Sequence, residues 1–437
     1  MEMNKTHTER GAAMLLFIIF FVIAISSLLA VLGRNLTSDM YTIGSVTSAK
    51  QSYLVGEASL EEVGYRIIDG VDDIDTAFLD TLLGMASTTV TYDSDADTYT
   101  IRTSATTGRS VRENILVLER APGSSFNYGV QTGNGGFFLG NNATIEGNVY
   151  SNGHIISDGG GEVTIDAVSA GPDGRIEGMD IGGNAWANTL ADSTVGGDAH
   201  YNNEEGSNTV AGDRIQPFDV LEPEPLPIAE EELDEWQQDL LDNGSITRAT
   251  DERCDGGVYE VDDTEVVGMR VIECDLSISG NNTYLVMDGP IWVQGDVSFS
   301  NGGSIDTTSS VGSDSVYLIA NDPNDRENRG RIEFNNQTNI DTQHDDSFVF
   351  LISRNNSAAN GGPVTAISLN NLVEGDVVLY SNEGEVDLAN NTEIHSVTGY
   401  QINVANNTDI EYKDGLQNVI FSGGPGSTYA VSEWYQE

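Results

Sequence analysis

Two cysteines, Cys254 and Cys274, are the residues whose chemistry is most sharply defined in this chain. They form no CxxC pair, and no histidine or further cysteine stands at the spacing of a metal site. Two alternatives remain. A disulfide closing this short loop is expected outside the cytoplasm, and a pair of buried free thiols is the other possibility. We expect neither a metal nor a cofactor here.

An acidic turn has part of the pattern of a calcium-binding loop. Asp93, Asp95 and Asp97 alternate as the first ligands of an EF-hand do. However, Thr98 stands where that loop has glycine, and Ser104 stands where it has its bidentate glutamate. Apolar and polar residues alternate on both sides, which favours a β-hairpin, with calcium binding as the alternative.

No arrangement of residues in the sequence points to catalysis. The histidines share no spacing typical of metal ligation or acid–base chemistry; they are His7, His154, His200, His344 and His395. Carboxylates are spread along the whole chain, so no pair can be singled out as acid and base. No nucleophile elbow, zinc or nucleotide-binding motif is present. We expect a protein that is not an enzyme.

The charge balance excludes one class of partner. Lys and Arg number 19 against 69 Asp and Glu, a formal net charge of −50 over 437 residues. Such a field repels phosphate groups, so we expect no nucleic-acid partner. A solvated acidic surface is one explanation, and adaptation to a saline habitat is the other.

A predicted membrane-spanning segment near the N-terminus anchors the rest of the chain. Residues 11–33, GAAMLLFIIFFVIAISSLLAVLG, carry no charge and are long enough to cross a hydrocarbon core. A cleaved signal peptide, the alternative, has a shorter apolar region and a small-residue cleavage site. The sequence therefore predicts a single-pass membrane protein with a cytoplasmic tail, residues 1–10, and the bulk of the chain outside the cytoplasm.

The next two segments are predicted to be a helix and a small α+β region. Residues 34–70 keep a helical apolar spacing and continue the membrane helix outward. Residues 71–125 read as a short helix over 71–84, a hairpin around the acidic turn, and a third strand. Glycines at 44, 56 and 64 weaken the helical prediction, because each lowers helix stability by about 1 kcal/mol.

The remaining chain has the pattern of stacked short strands. Turn signals rich in Asn and Gly separate apolar runs, and LANNTEI recurs as VANNTDI 16 residues later. We predict a right-handed parallel β-helix over 126–220 and 250–437, with an antiparallel sandwich as the alternative. Asparagines at a recurring corner are expected to form a hydrogen-bonded ladder; they are Asn390, Asn391, Asn406 and Asn407.

One segment interrupts the β-helix pattern. Residues 221–249 begin with a proline-rich stretch and continue into a helix that carries Leu233, Trp236, Leu240 and Leu241. We expect this helix to cover the side or the end of the solenoid. The fold class is therefore mainly β, with a long N-terminal helix, a small α+β segment and a solenoid with one inserted helix.

The N-terminal region resembles that of PilX-type type IV pilus assembly proteins, which are minor pilin-like. The matching positions are Arg10, Gly11, Ala12 and Ala13, and then Gly56, Glu57, Ala58, Leu60, Glu61 and Glu62. The remaining chain, with GNVYSNG and an acidic DEW helix, is similar to a longer bacterial surface architecture. The resemblance implies an envelope location and other pilins or pilus-assembly proteins as partners.

The resemblance also implies a processing site. A prepilin peptidase would cleave after Gly11 and leave Ala12 as the new N-terminus. The glutamate that pilins carry five residues into the mature helix is replaced by Leu16. A position at the tip of a filament, where no further subunit follows, is compatible with that replacement.

Three functions are compatible with these observations. The first is a structural or adhesive component of a pilus-like system that displays the β-helix. The second is a membrane-tethered surface protein unrelated to pili, and the third is a β-helical enzyme acting on polysaccharides. Surface glycans are possible partners, with Trp186, Tyr201 and Trp292 as candidate contacts, although each could equally be a packing residue.

Overall fold

The structure is a computed structural model that describes residues 8–68, 76–93, 98–120, 125–242, 245–246, 254, 256–370, 372–389, 391–421 and 429–436. The chain divides into two compact units. The first unit comprises Met1–Arg120 with Thr428–Glu437, and the second comprises Ala121–Ser427. The second unit is therefore an insertion in the sequence of the first.

The first unit combines a long helix with an antiparallel sheet. The elements are α1 (Thr8–Ile68), β1 (Thr76–Thr81), β2 (Gly84–Asp93), β3 (Thr98–Thr107) and β4 (Ser110–Arg120). Each of these strands pairs antiparallel with the next. β2 and β3 form a hairpin in which Asp93 pairs with Thr98. Asp95 and Asp97 lie outside the described residues.

The short helix predicted over 71–84 is wrong where the structure describes it. Residues 76–81 form β1, which pairs with β2 along its length. Phe78 is exposed, whereas Ala77 and Leu79 pack against buried residues of the first unit. Exposed and packed side chains therefore alternate with a period of two, as in a β-strand. Pairing with β2 provides the hydrogen-bond partners of the backbone in this segment.

The second unit contains a long series of short strands. Before the interruption they are β5 (Val130–Leu139), β6 (Thr144–Glu146), β7 (Val149–Ser151), β8 (Ile155–Val163), β9 (Ala167–Ser169), β10 (Arg175–Ile181), β11 (Ala185–Ala187), β12 (Thr189–Ala191), β13 (Thr194–Val195), β14 (Ala199–His200), β15 (Asn203–Glu205), β16 (Thr209–Val210) and β17 (Arg214–Ile215).

The helix α2 (Glu230–Asp242) precedes the second series. That series is β18 (Ser245–Ile246), β19 (Val258–Val261), β20 (Thr264–Val267), β21 (Arg270–Ile272), β22 (Asp275–Ser279), β23 (Tyr284–Met287), β24 (Ile291–Val293), β25 (Val297–Ser300), β26 (Ser304–Thr307), β27 (Val316–Ala320), β28 (Ile332–Phe334), β29 (Thr338–Ile340), β30 (Val349–Ser353), β31 (Thr365–Leu369), β32 (Val373–Gly375), β33 (Val377–Leu388), β34 (Glu393–Ile394), β35 (Ser396–Val404) and β36 (Asp409–Glu411), followed by a 3-10 turn, Asp414–Asn418.

The last strand of the chain does not continue this series. β37 (Tyr429–Gln436) pairs antiparallel with β4 and completes a sheet in the order β1-β2-β3-β4-β37. The predicted solenoid segment 250–437 therefore overran its end. The sequence of β37 does not indicate which sheet it joins, because its partner strand β4 lies more than 300 residues earlier in the chain.

Parallel pairing with a fixed offset organises the second unit. From β18 to β30, each strand pairs in parallel with the strand three places further along. The same offset relates β11 to β14 and β14 to β17. Strands in such register place inward apolar side chains above one another, and one continuous buried cluster runs from Val130 to Ile410.

The chain enters and leaves this parallel sheet in its middle. β35 pairs in parallel with β5, and β36 pairs with β6. The backbone N–H of Phe126 donates to the carbonyl of Leu416 at 2.9 Å, so the two ends of the unit lie side by side. The first series extends from this junction in one direction, and the second series returns to it from the other.

Residues 216–242, the strap, connect the two far ends of the parallel sheet. The backbone N–H of Phe218 donates to Asn202, and further along the strap the carbonyl of Pro225 accepts from Gln131. The backbone N–H of Ile228 then meets the hydroxyl of Tyr380 at 3.0 Å. The strap thus crosses the junction between β5 and β35 before α2 begins. The strand pattern of the sequence is interrupted over 216–242 because this segment lies outside the series of paired strands.

Candidate functional site

The N-terminal part of α1 exposes apolar side chains on all sides. From Met14 to Val46 the large apolar side chains are all exposed, and Phe20 keeps 74% of its surface accessible. An 18-residue window within Met14–Ile67 has a mean hydropathy of 3.1 and contains no buried residue. By length and composition, α1 is able to cross a hydrocarbon core of about 30 Å.

The C-terminal part of α1 packs against the antiparallel sheet. Leu60 and Val63 are buried in a cluster with Ile101, Leu116 and Leu118. These side chains come from one face of the helix and one face of β3 and β4. A single helix thus has an exposed apolar half and a half that carries a folded sheet.

Two glycines set the distance between this helix and the sheet. A Cβ on Gly56 would lie 2.8 Å from Nδ2 of Asn114, and one on Gly64 would lie 2.9 Å from Cδ2 of Leu116. Both glycines are buried. They lower intrinsic helix stability, but they permit an approach that a larger residue would prevent.

The residues that carry the pilin-like pattern divide between the two faces of α1. Gly56 and Leu60 face the sheet, whereas Glu61 and Glu62 are exposed. Glu62 forms an ion pair with Arg66 one turn later. Arg10, Gly11 and Ala12 lie in the first turns of α1, and cleavage between Gly11 and Ala12 stays a prediction.

The cysteines are joined in the structure. Cys254 and Cys274 form a disulfide with their Cα atoms 6.1 Å apart. Both side chains belong to the buried cluster of the parallel sheet, close to its β18 end. Cys254 precedes β19 and Cys274 precedes β22, so the disulfide joins the starts of two strands that pair in parallel near that end.

The asparagines predicted to form a ladder lie, where the structure describes them, at turns between strands. Asn391 and Asn407 adopt left-handed backbone conformations with φ of 60° and 56°, and Asn142 adopts φ 55° at a third turn of this kind. The backbone N–H of Asn391 donates to the carbonyl of Asn407 at 3.0 Å. Asn406 is exposed, and Asn390 lies outside the described residues. Asparagine tolerates this backbone conformation better than most residues, which accounts for its recurrence at these turns, and the side-chain ladder stays a prediction.

A ladder exists elsewhere, and sequence reasoning missed it. The backbone N–H of Asp166 donates to Oδ1 of Asn148 at 3.1 Å, and that of Asn184 donates to Oδ1 of Asp166 at 2.7 Å. The N–H groups of Asp198 and Asp213 donate in the same way, at 2.8 Å, to the Asx residue of the preceding turn. We name these five residues the Asx ladder. The signal was an Asn or Asp before each short strand.

The three candidate glycan contacts differ in their surroundings. Tyr201 is buried, and its hydroxyl lies 3.2 Å from Oε2 of Glu204. Trp186 is half-buried and stacks on His200 with ring centroids 5.2 Å apart. Trp292 is 6% exposed, and its Nε1 donates to the carbonyl of Asn321 at 3.1 Å. Tyr201 is thus a packing residue, whereas Trp292 borders a pocket described below.

The histidines are dispersed, but one of them belongs to a polar cluster. His154 and His344 are exposed, and His7 lies outside the described residues. Within the described part of the chain, no three His, Cys, Asp or Glu side chains are placed to hold a metal ion. His395 is buried beside Asp376.

The carboxylate of Asp376 is held by hydrogen bonds from several side chains. Nδ1 of His395 lies 3.1 Å from the carbonyl of Glu411, and its Nε2 lies 3.2 Å from Oδ1 of Asp376. Lys413 donates to the same Oδ1 at 3.0 Å. Burial opposes ionisation of Asp376, but these hydrogen bonds outweigh it and lower its pKa to about 2.

A pocket of about 410 Å³ lies between α2 and the parallel sheet. Its lining residues are Asp234, Gln237, Gln238, Leu241, Trp292, Asn321, Pro323, Arg326 and Arg354. Gln237, Asn321 and Arg354 are each about 95% buried, with exposures of 5%, 4% and 5%. The pocket therefore combines an indole wall with buried polar side chains, as ligand sites often do.

Ion pairs fix the charged residues around this pocket. Arg354 donates to Glu230 at 2.5 Å and to Asp234 at 2.6 Å, and Arg326 donates to Glu230 at 3.0 Å. Burial of Glu230 disfavours its charged form, but the hydrogen bonds from Arg354 and Arg326 outweigh burial and lower the pKa of Glu230. Two carboxylates thus balance two guanidinium groups.

The comparisons with known proteins give little further guidance. No protein-family model matches the chain, and no curated protein matches it significantly. Among solved structures, the competence-associated pilin ComZ from Thermus thermophilus matches with 11% sequence identity, 89% of this chain and 97% of that chain covered, and a TM-score of 0.23. A TM-score this low carries no argument about this chain.

Proposed function

We propose that this protein is a non-enzymatic, membrane-anchored surface protein, a minor pilin-like subunit that displays a β-helical structural or adhesive domain. Its N-terminus would lie in the cytoplasm and the bulk of the chain outside the cell. The observation that carries this proposal is the division of α1 into an exposed apolar half and a half packed on an antiparallel sheet.

The architecture proposed for the second unit is a right-handed parallel β-helix. Its support is the regular offset of three strands between parallel partners, since a strand stacks on its counterpart once per turn in such a solenoid. Crossovers between parallel strands are right-handed in almost all proteins. The bundle of inward residues from Val130 to Ile410 would be the interior of the solenoid.

The insertion of the second unit fits a display role. Its two ends meet at Phe126 and Leu416, so it interrupts the first unit at one place in the sequence. Termini that lie close together are the usual condition for tolerated domain insertion. The anchoring unit would then keep the same helix and sheet whatever domain it carries.

Processing tests the pilin route directly. Protein isolated from the native host is examined by N-terminal sequencing and by recovery in sheared filament fractions. We expect the mature chain to begin at Ala12. The variant Gly11→Val is expected to retain its first residues and to be lost from the filament fraction, because the peptidase needs a small residue before the cleaved bond.

Gly33→Val is the matched control for this experiment. It places the same side chain in the same helix, and a Cβ on Gly33 meets nothing within 4 Å. It is expected to be processed like the wild type. Wild-type protein that retains Met1 and stays in the membrane fraction would instead favour a tethered surface protein unrelated to pili.

The enzyme alternative is tested separately. Full-length protein in detergent micelles is incubated with a panel of polysaccharides, and new reducing ends and unsaturated uronides are measured. We expect no turnover above a buffer blank. Release of oligosaccharides that follows protein concentration would replace the non-enzymatic proposal with a carbohydrate-active one.

A further inference from the structure

We propose that the pocket between α2 and strands β24, β27 and β30 binds a neutral sugar unit. This inference rests on the display function proposed above and gives it a ligand class. The strands bring Trp292, Asn321 and Arg354 to one side of the pocket, and α2 brings Gln237 to the other.

The hydrogen-bond chain across the pocket fixes the orientation of both amides. The guanidinium of Arg354 can only donate, so the side-chain oxygen of Gln237 faces it. Nδ2 of Asn321 donates to that same oxygen at 3.2 Å. Nε2 of Gln237 and Oδ1 of Asn321 are therefore the atoms that remain, and neither has a hydrogen-bond partner among the described residues.

A buried polar atom without a hydrogen-bond partner destabilises the folded chain. Both atoms belong to residues that line the pocket, and both are shielded from solvent. One is a donor and the other an acceptor, and a hydroxyl group satisfies either of them.

Charge and shape select among ligand classes. Arg326 and Arg354 are neutralised by Glu230 and Asp234, so the site has no excess charge for an anion or a cation. The indole of Trp292 supplies an apolar wall. Adjacent hydroxyls beside an apolar ring face are the features of a pyranose, and a volume of about 410 Å³ accommodates one or two sugar units.

The experiment uses full-length protein in detergent micelles on an array of defined neutral and anionic glycans. We expect at least one neutral glycan to bind and its affinity to be unchanged between 0.1 and 1 M sodium chloride, because screening weakens only charged contacts. Binding of anionic glycans alone, with loss at high salt, would overturn the proposal, and so would an array without any bound glycan.

Two tryptophan variants on α2 locate the site. Gln238 lines the pocket and is exposed, so Gln238→Trp should fill its opening and weaken binding at least tenfold. Glu235 is also exposed on α2 but does not line the pocket, so Glu235→Trp should bind like the wild type. Equal binding by both variants would overturn the assignment. These outcomes leave processing at Gly11 unaffected, so the two proposals fail independently.

Discussion

The two halves of the parallel sheet are stabilised in different ways. Between β11 and β17 several inward side chains are small, as at Ala185, Ala187 and Ala199, and the Asx ladder joins successive turns. Between β24 and β33 the inward residues are larger, and Phe299 stacks on Phe334 with centroids 4.3 Å apart.

The second half also has a large buried apolar cluster outside the sheet. α2 contributes Leu233, Trp236 and Leu240 to a cluster with Tyr317 and Phe350 on the outside of the sheet. Asp198 follows Asn184 by 14 residues at the ladder, whereas Arg331 follows Asp296 by 35 at the corresponding contact of the second half. Side chain to backbone bonds of this kind thus occur in both halves, and the long turns of the second half have the packing of α2 in addition.

Removal of an aromatic residue from the apolar cluster outside the sheet should have the largest effect. Trp236 stacks on Tyr317 with centroids 4.6 Å apart and lies 5.1 Å from Phe421. We expect Trp236→Ala to lower the apparent free energy of unfolding by about 3–5 kcal/mol, measured by urea unfolding of the full chain in micelles. Trp186→Ala, in the first half, should cost clearly less, since that ring is only half-buried. Equal losses would contradict the comparison.

Loss of the disulfide should come next. Cys254 and Cys274 secure the β18 end of the second half, whereas the Asx ladder runs through the strands near the β17 end. The double variant Cys254→Ala, Cys274→Ala should lose about 2–4 kcal/mol relative to the oxidised wild type. Treatment of the wild type with a reductant is the control and should give the same loss. An oxidised and a reduced wild type of equal stability would refute this prediction.

Acid should weaken the second half through Asp376. Its pKa of about 2 in the folded chain lies below the ordinary value near 3.9, so its contribution is complete above about pH 4 and is lost as the pH falls toward 2. We expect about 2 kcal/mol of pH-dependent stability in that window. Asp376→Asn should remove this part of the pH dependence in an acid titration followed by circular dichroism; an unchanged profile would argue against the cluster.

A break in the Asx ladder should have the smallest effect. Asn184→Ala removes the acceptor for the N–H of Asp198, at an expected cost of about 1–2 kcal/mol. Asn184→Asp keeps an oxygen at that position and should be close to the wild type. Hydrogen exchange at Asp198 reports the same bond locally. Identical exchange in the two variants would show that the ladder does not hold this turn.

Much of the fold was predictable because its signals are local. The apolar run, the hairpin between β2 and β3 and the turn asparagines each depend on neighbouring residues. Asn407 illustrates the limit, since the sequence identified a recurring corner but not its left-handed backbone conformation. A left-handed turn and a side-chain ladder select the same residue type.

The candidate site was less predictable because its parts are distant in sequence. Trp292 was singled out, but nothing local indicated that α2 would bring Gln237 to Asn321, which lies 84 residues away. Likewise, Gly56 and Gly64 counted against a helix until Asn114 and Leu116 were seen to pack on them. At these two positions, close packing of the helix on the sheet outweighs the low helix propensity of glycine.

By itself, the sequence determined the apolar run that is long enough to span a membrane, the acidic charge, the repeated short strands and the one possible cysteine pair, since each depends on composition or short-range order. Only the tertiary structure decided which strands meet. It placed β37 beside β4 and β5 beside β35, and it laid the strap along the outside of the parallel sheet. Backbone hydrogen bonds are the same for every residue type, so the sequence does not show which distant strands pair. The register is set instead by the burial of side chains from distant parts of the chain.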